Sequence, residues 1–213
     1  ASMADTVPSE LRSDAWVIRQ NALRLLAALS EFLDELAGPR AANLACRVEA
    51  RVDHGVSREA VALTAVDGVG ARRADRLADA GITSPAEICA AGAAGLSNVG
   101  MGEGVAERIV EAAGAIPQIR VDWGAFPETI AVGENELCEV TVGTVGGGTR
   151  VGIRVTVNDV EMTATTTYLD GETTVPVGVF GPPDADALTF VVEVVFPDLP
   201  VMPVRAERQV QVE

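Results

Sequence analysis

Val66-Asp67-Gly68-Val69-Gly70-Ala71-Arg72-Arg73-Ala74-Asp75-Arg76-Leu77 decides how this chain is read, because it occurs twice. Val99-Gly100-Met101-Gly102-Glu103-Gly104-Val105-Ala106-Glu107-Arg108-Ile109 repeats it with a period of 32 residues. Gly68 then falls over Gly100, Gly70 over Gly102, Ala74 over Ala106, Asp75 over Glu107, Arg76 over Arg108 and Leu77 over Ile109. A repeat of fixed period sets an architecture before any single residue does.

Each copy reads as a tight turn feeding a helix. Glycine tolerates the positive φ of such a turn and lets another backbone approach. The first amides of the following helix have no partner inside it and sit at the positive end of its dipole. Together these features make a phosphate site that needs no particular side chain. The expected nucleic-acid contacts are Gly68, Val69, Gly70 and Arg72 in the first copy and Gly100, Met101 and Gly102 in the second. Glu103 and Asp67 stand beside these turns as carboxylates, so the alternative is that a turn merely joins two helices. Ser57 reads as a helix cap, Gly81 as the end of the helix begun near Ala71, and Ser84-Pro85-Ala86-Glu87 as an N-cap, first-turn proline and capping-box glutamate. The repeat resembles a tandem helix-hairpin-helix domain, a module that grips nucleic-acid backbone without reading sequence.

The 213 residues carry a net charge of −15, which at first sight opposes nucleic acid. The charge is uneven: residues 1–59 hold 9 acids and 7 bases, 60–116 hold 7 and 4, and 117–213 hold 15 and 5. All 16 bases are arginine. Acidity without lysine suggests a halophilic, archaeal source adapted to molar salt, with a GC-rich genome as the plainer account of the arginine. Such salt weakens binding driven by counterion release and leaves backbone-amide contacts relatively more important. Cys46, Cys89 and Cys138 have no metal-ligand spacing, and their odd number suggests reduced thiols and a cytoplasmic protein with no metal site. No apolar run is long enough to span a bilayer, so no membrane partner is expected. Ala1-Ser2 ahead of Met3 reads as a cloning remnant, and the chain as a fragment of a longer parent.

Ser9 to Ala37 has helical periodicity, with Ile18, Ala22, Leu25, Leu29, Phe32 and Leu36 as one apolar stripe expected to face inward. Gly38-Pro39 stops it. A second helix runs to about Asp53 with Leu44, Val48 and Val52 inward, and a short third helix leads to the first hairpin. Arg12, Trp16 and Arg19 share a face, an arrangement able to stack bases and hold phosphates of a single strand. The other reading buries Trp16 in the bundle beside Leu23 and Leu26. Arg40, Arg47 and Arg51 share a face of the second helix, expected to be solvated. His54 reads as a structural residue that neutralises a helix end.

After Ile116-Pro117 the period changes to two. Runs at Gln118–Trp123, Leu137–Val145, Arg150–Val157, Val160–Tyr168, Thr173–Val179, Ala187–Phe196 and Arg205–Val212 predict seven strands of an immunoglobulin-like or fibronectin-like β-sandwich, with Trp123 in its core. The fold class expected is therefore multi-domain, α then β. A helical bundle spans 1–57, a tandem helix-hairpin-helix domain 58–116 and the sandwich 117–213.

This order of parts resembles the C-terminal module of DEAD/DEAH-type superfamily 2 helicases. The phrase Arg51-Val52-Asp53-His54-Gly55-Val56-Ser57-Arg58-Glu59, followed by Val66 to Gly70, Arg72, Ala74, Leu77, Ala80-Gly81 and Ser84, is similar to that of the archaeal DNA repair helicases. The resemblance implies that the long helix is a ratchet whose Trp16 stacks on a translocating strand. The family's arginine lies about two turns earlier, where this chain has Ser9, with Arg12 a substitute. A sandwich is instead a feature of this superfamily's meiotic crossover and spliceosomal unwinding helicases, so the chain resembles a mixture of two patterns. Without lysine there is no Gly-x-x-x-x-Gly-Lys-Ser/Thr, so this chain is expected not to be an enzyme. ATP and magnesium are expected only in a parent's motor. The resemblance implies single-stranded or forked DNA and the helicase motor domains as partners, with a protein partner on the sandwich. The competing readings are an interaction module with vestigial hairpins and a stand-alone DNA repair accessory factor.

Overall fold

The computed structural model describes residues 7–213. They divide into two compact units, one of the residues up to Ile116 together with Phe196–Met202, the other of Pro117–Val195 with Pro203–Glu213.

In the first unit a 3-10 turn at Ser9–Leu11 leads into α1, Arg12–Ala37. Gly38 at φ 82° turns the chain directly into α2, Pro39–His54, whose proline sits in the first turn where a missing N–H costs nothing. So short a connection makes α1 and α2 pack along each other. The half-buried residues Arg19, Leu23, Leu26, Ser30 and Leu33 mark the α1 face that meets α2. Arg19 ties that face down: Nε donates to the Val52 carbonyl at 3.2 Å and Nη2 to the Asp53 carboxylate at 2.6 Å. Ser30 Oγ donates to the Ala42 carbonyl at 3.3 Å.

The stripe expected to be the core of α1 faces solvent instead. Ile18, Leu25, Leu29, Phe32 and Leu36 are exposed, Ala22 is half-buried, and α1 has no fully buried residue. Apolar residues occupy two faces of this helix, and α2 takes the face where Arg19 satisfies its last carbonyls. Leu44, expected inward on α2, is also exposed. Arg47, expected on a solvated face, is buried, whereas Arg40 and Arg51 are exposed. Asn43 is buried, and its amide nitrogen donates to the carbonyls of Phe196, Leu199 and Val201 at 2.8, 3.1 and 3.0 Å. That side chain holds the 196–202 segment within the helical unit. Helix α2 ends at Gly55 in the left-handed conformation, whose N–H reaches the Arg51 carbonyl at 2.8 Å.

The expected short third helix is a 3-10 helix, Val61–Ala65. It is followed by α3, Ala71–Asp79, then α4, Pro85–Asn98, and α5, Glu103–Ala115. Gly92 (φ 62°, ψ −179°) breaks α4, so its last turn belongs to the second hairpin. The capping box read from the sequence is formed: Ser84 Oγ accepts from Glu87 N at 3.2 Å, and Glu87 Oε2 accepts from Ser84 N at 3.1 Å. One core joins both repeats, with Val66, Val69, Leu77, Ile88, Leu96, Met101, Ala106 and Ile109 all buried.

The second unit has eight strands: β1 Gln118–Asp122, β2 Thr129–Ile130, β3 Asn135–Val145, β4 Thr149–Val157, β5 Val160–Leu169, β6 Glu172–Phe180, β7 Ala187–Val195 and β8 Val204–Val212. They form two sheets, β1-β3-β6 and β2-β8-β7-β4-β5, antiparallel throughout except where β2 pairs with β8. The result is a β-sandwich-like domain. Alternation fills it, with Val140 and Val142 of β3, Val175, Val177 and Val179 of β6, Ile153 and Val155 of β4, and Phe190, Val192 and Val194 of β7 buried. Asn158 and Asp159 turn β4 into β5 at positive φ. Trp123, expected in the core, is only half-buried. Phe126 fills that place, with its ring edge-on to Phe190 at 4.9 Å and Trp123 edge-on to it at 5.1 Å.

Candidate nucleic-acid interface

The first hairpin is a tight turn from Val66 to Val69. Gly68 occupies its positive-φ position at 80°, and Val69 N donates to the Val66 carbonyl at 3.0 Å. Val69 therefore spends its amide on the turn and its side chain in the core. It shapes the hairpin from within. Gly70 is the N-cap of α3 in extended conformation, and its carbonyl accepts from Arg73 N and Ala74 N at 2.9 and 3.0 Å. The amides of Ala71 and Arg72 open the helix, where no intrahelical carbonyl can reach them.

The second hairpin repeats this geometry. Gly100 at φ 82° ends α4, with Gly100 N on the Ser97 carbonyl at 2.9 Å and Met101 N on the Leu96 carbonyl at 3.2 Å. That pair of bonds satisfies the last turn of one helix while aiming the chain into the next. Met101, like Val69, is buried, and its amide is taken. Gly102 is the N-cap of α5, and the amides of Glu103 and Gly104 open that helix.

The repeat brings the two turns to one place. A groove of about 540 Å³ is lined by Gly70, Arg72, Arg73 and Arg76 from the first repeat and Gly100, Met101 and Gly102 from the second. Arg76 Nη1 donates to the Gly100 carbonyl at 3.1 Å, crossing from one repeat to the other. Arg73 Nη1 donates to the Gly68 carbonyl at 2.6 Å and closes its own hairpin. A smaller hollow of about 210 Å³ holds Asp67, Gly68, Arg73 and Arg108. Arg108, the counterpart of Arg76, thus lies at the first hairpin, while its Nε donates to Gly104 O at 3.0 Å. Ile109 lies 3.7 Å from where a Gly68 Cβ would be. These crossings were invisible in the sequence, although the alignment of Arg76 with Arg108 carried the signal.

A carboxylate stands beside each hairpin. Glu103 is exposed in the first turn of α5, and Asp67 is exposed beside Gly68. The first hairpin, with Arg72, Arg73 and Arg76 on the helix it opens, is the more basic side of the groove. Substituting Gly68 strains the turn whatever the side chain, because its φ is positive. Gly70 and Gly102 have negative φ and open space around the missing Cβ, and they accept a side chain without strain.

The other expected site residues lie on α1. Trp16 is exposed and does not fill the bundle, and Arg12 is exposed as well. Arg19 is engaged at the end of α2, through the Val52 carbonyl and the Asp53 carboxylate. On α2, Arg47 is buried with Nε lacking a hydrogen-bond partner. Burial lowers its pKa from the ordinary guanidinium value, and the nearby Arg58 and Arg51 lower it further. Burial also pushes the Cys46 thiol up to about 11, with Glu49 and Asp198 adding to the effect. His54 lies 3.8 Å from the Asp53 carboxylate at the end of α2. Among the described residues no three His, Cys, Asp or Glu side chains converge on a common point, and no helix is long and apolar enough to cross a membrane.

Residues 60–115 match the SAM-like helix-hairpin-helix tandem family, the span that contains both hairpins and all of α3, α4 and α5. No curated protein matches the chain. Similar solved structures include the CARDB domain of a Pyrococcus furiosus protein in complex with di-metal ions, 20% identical over 46% of this chain and 94% of that one, TM-score 0.39. Listeria innocua β-glucosidase in complex with glucose is 12% identical over 46% of this chain and 16% of that one, TM-score 0.30. The Bacillus subtilis sporulation control protein Spo0M is 11% identical over 46% and 49%, TM-score 0.29.

Proposed function

We propose that this protein binds nucleic-acid backbone without reading sequence, through the open helix-start amides of α3 and α5 and the arginines of α3. The observation that carries the reading is the convergence of both hairpins on one groove lined by Arg72, Arg73 and Arg76. Successive phosphates meet dipole ends and guanidiniums there, a recognition that tolerates any base. In its finer form, the chain is the non-motor C-terminal region of an ATP-dependent superfamily 2 DNA helicase of archaeal, halophilic type. That form is supported by the phrase from Arg51 to Ser84 and by the order of helices, hairpins and β-sandwich. Single-stranded or forked DNA is its ligand, and exposed Trp16 is available to stack on a base. The chain itself performs no ATP hydrolysis, and any motor, ATP and magnesium belong to the parent.

Fluorescence anisotropy with labelled single-stranded, duplex and forked DNA, from low to molar salt, tests this. Gly70→Asp and Gly102→Asp supply good N-caps that keep the fold while placing a carboxylate where the phosphate sits. Each is expected to weaken binding by about tenfold or more. No binding at any salt, or binding indifferent to both substitutions, would sink the reading.

A second reading is favoured by the acidity of residues 117–213, with 15 acids and 5 bases. There the sandwich docks protein and the hairpins are structural. Retention of a binding partner by the sandwich alongside absent DNA binding is its expected signature.

A further inference from the structure

The exposed stripe of α1 has a spacing that specifies what covers it. Leu11, just ahead of the helix, then Ala15, Ile18, Ala22, Leu25, Leu29, Phe32 and Leu36 alternate by 4 and 3 without interruption. This is the a/d pattern of a helix that pairs with another helix, sustained for about 37 Å at 1.5 Å per residue. Ile18 is 68% exposed, Leu25 72%, Phe32 65% and Leu36 83%. The adjoining helix α2 does not use this seam, because its contacts fall on Arg19 and Ser30 of the neighbouring face. A continuous apolar face of that size is rare on an isolated protein and marks an interaction surface.

We propose that the seam pairs with a second copy of this chain, the two α1 helices running antiparallel. Two complementarities single out that occupant. Antiparallel pairing about the centre of the stripe stacks Leu11 on the partner's Leu36, Ala15 on the partner's Phe32, Ile18 on the partner's Leu29 and Ala22 on the partner's Leu25. The bulkiest side chain thus meets alanine, and the other alanine meets leucine. Parallel pairing would set alanine on alanine in two layers and phenylalanine on phenylalanine in another, leaving gaps and crowding along one seam. The charges agree. Apart from Arg19, which Asp53 already pairs, the first half of α1 carries Arg12 and Arg24 against Asp14, and the second half carries Glu31, Asp34 and Glu35 with no base. Antiparallel helices set the basic half beside the acidic half and oppose their dipoles, whereas parallel helices set like with like.

Sedimentation velocity of the full chain over a concentration series in molar salt is the test. A dimer is expected, and the double variant Leu25→Glu/Leu29→Glu is expected to be a monomer. Both side chains are exposed, so far-UV circular dichroism of that variant should match the parent. Orientation is read in a background with Cys46, Cys89 and Cys138 replaced by alanine. Ala15→Cys and Phe32→Cys chains, mixed and oxidised, should cross-link to each other and not to themselves. Self-cross-linking of either alone would establish parallel pairing and overturn the proposal. An unsubstituted chain that stays monomeric throughout would also overturn it, and would assign the seam to a different polypeptide.

Discussion

Arg76 of the first repeat donates its Nη1 hydrogen bond to the carbonyl of Gly100, the turn glycine of the second, at 3.1 Å. The repeat places Arg108 in the reciprocal position near Gly68. Arg76 thereby holds the second hairpin in line with the first. Because the pair is exposed, Arg76→Ala is expected to cost stability by only about 0.5–1 kcal/mol. It should nonetheless weaken DNA binding several-fold, since it removes a charge from the groove and frees a turn. Urea melts alongside anisotropy separate the two effects. Unchanged DNA affinity would show that Arg76 does no more than brace the hairpin.

Gly68 and Gly70 lie two residues apart and should respond oppositely to alanine. Gly68→Ala puts a side chain at φ 80° and is expected to destabilise by about 1–2 kcal/mol. Gly70→Ala meets nothing within 4 Å at a negative φ, so it should be neutral or stabilising by a few tenths of a kcal/mol. Paired thermal melts check the contrast, and equal losses would refute the turn assignment.

The capping box makes part of the stability pH-dependent. The backbone N–H of Thr83 holds the Glu87 carboxyl below its ordinary range, and the Thr83 hydroxyl and Ser84 add to the effect. A lowered folded pKa means that the unfolded chain binds the proton first. Stability from this group is therefore full above the ordinary glutamate range and is lost as pH falls through the lower folded value. Glu87→Gln should flatten that part of the acid limb, and Ser84→Ala should cost about 1 kcal/mol at neutral pH. Chemical denaturation from pH 7 to pH 3 is the measurement.

Asn43 is a residue to which no sequence pattern points. Its buried amide serves three carbonyls of the 196–202 segment, so Asn43→Ala removes that donor from all three and leaves Phe196 O only the longer bond from Leu199 N. A loss of about 1–3 kcal/mol is expected, together with faster hydrogen exchange or proteolysis of that segment. Asn43→Asp, which keeps the size and removes the donor, should be no better. Retained protection in either variant would contradict the anchoring role.

The hairpins were legible before folding, because glycine at positive φ and the amides of a helix start are backbone properties that a repeat displays in one dimension. Gly68, Gly81 and Gly100 all have φ near 80°, as a left-handed turn requires. Ser84 and Glu87 find each other because a capping box closes over three residues. The switch to strands after Pro117 was equally local, since alternation is a period within one segment.

Which apolar face of α1 is covered was settled by packing. Periodicity shows that a face is apolar and not what lies against it, and α2 took the face where Arg19 could satisfy its terminal carbonyls. The same reason separates Phe126 from Trp123, since both suit a core by composition and only the position of Phe190 admits one of them. Arg76 and Gly100 stand 24 residues apart, and folding both repeats onto one core made them neighbours.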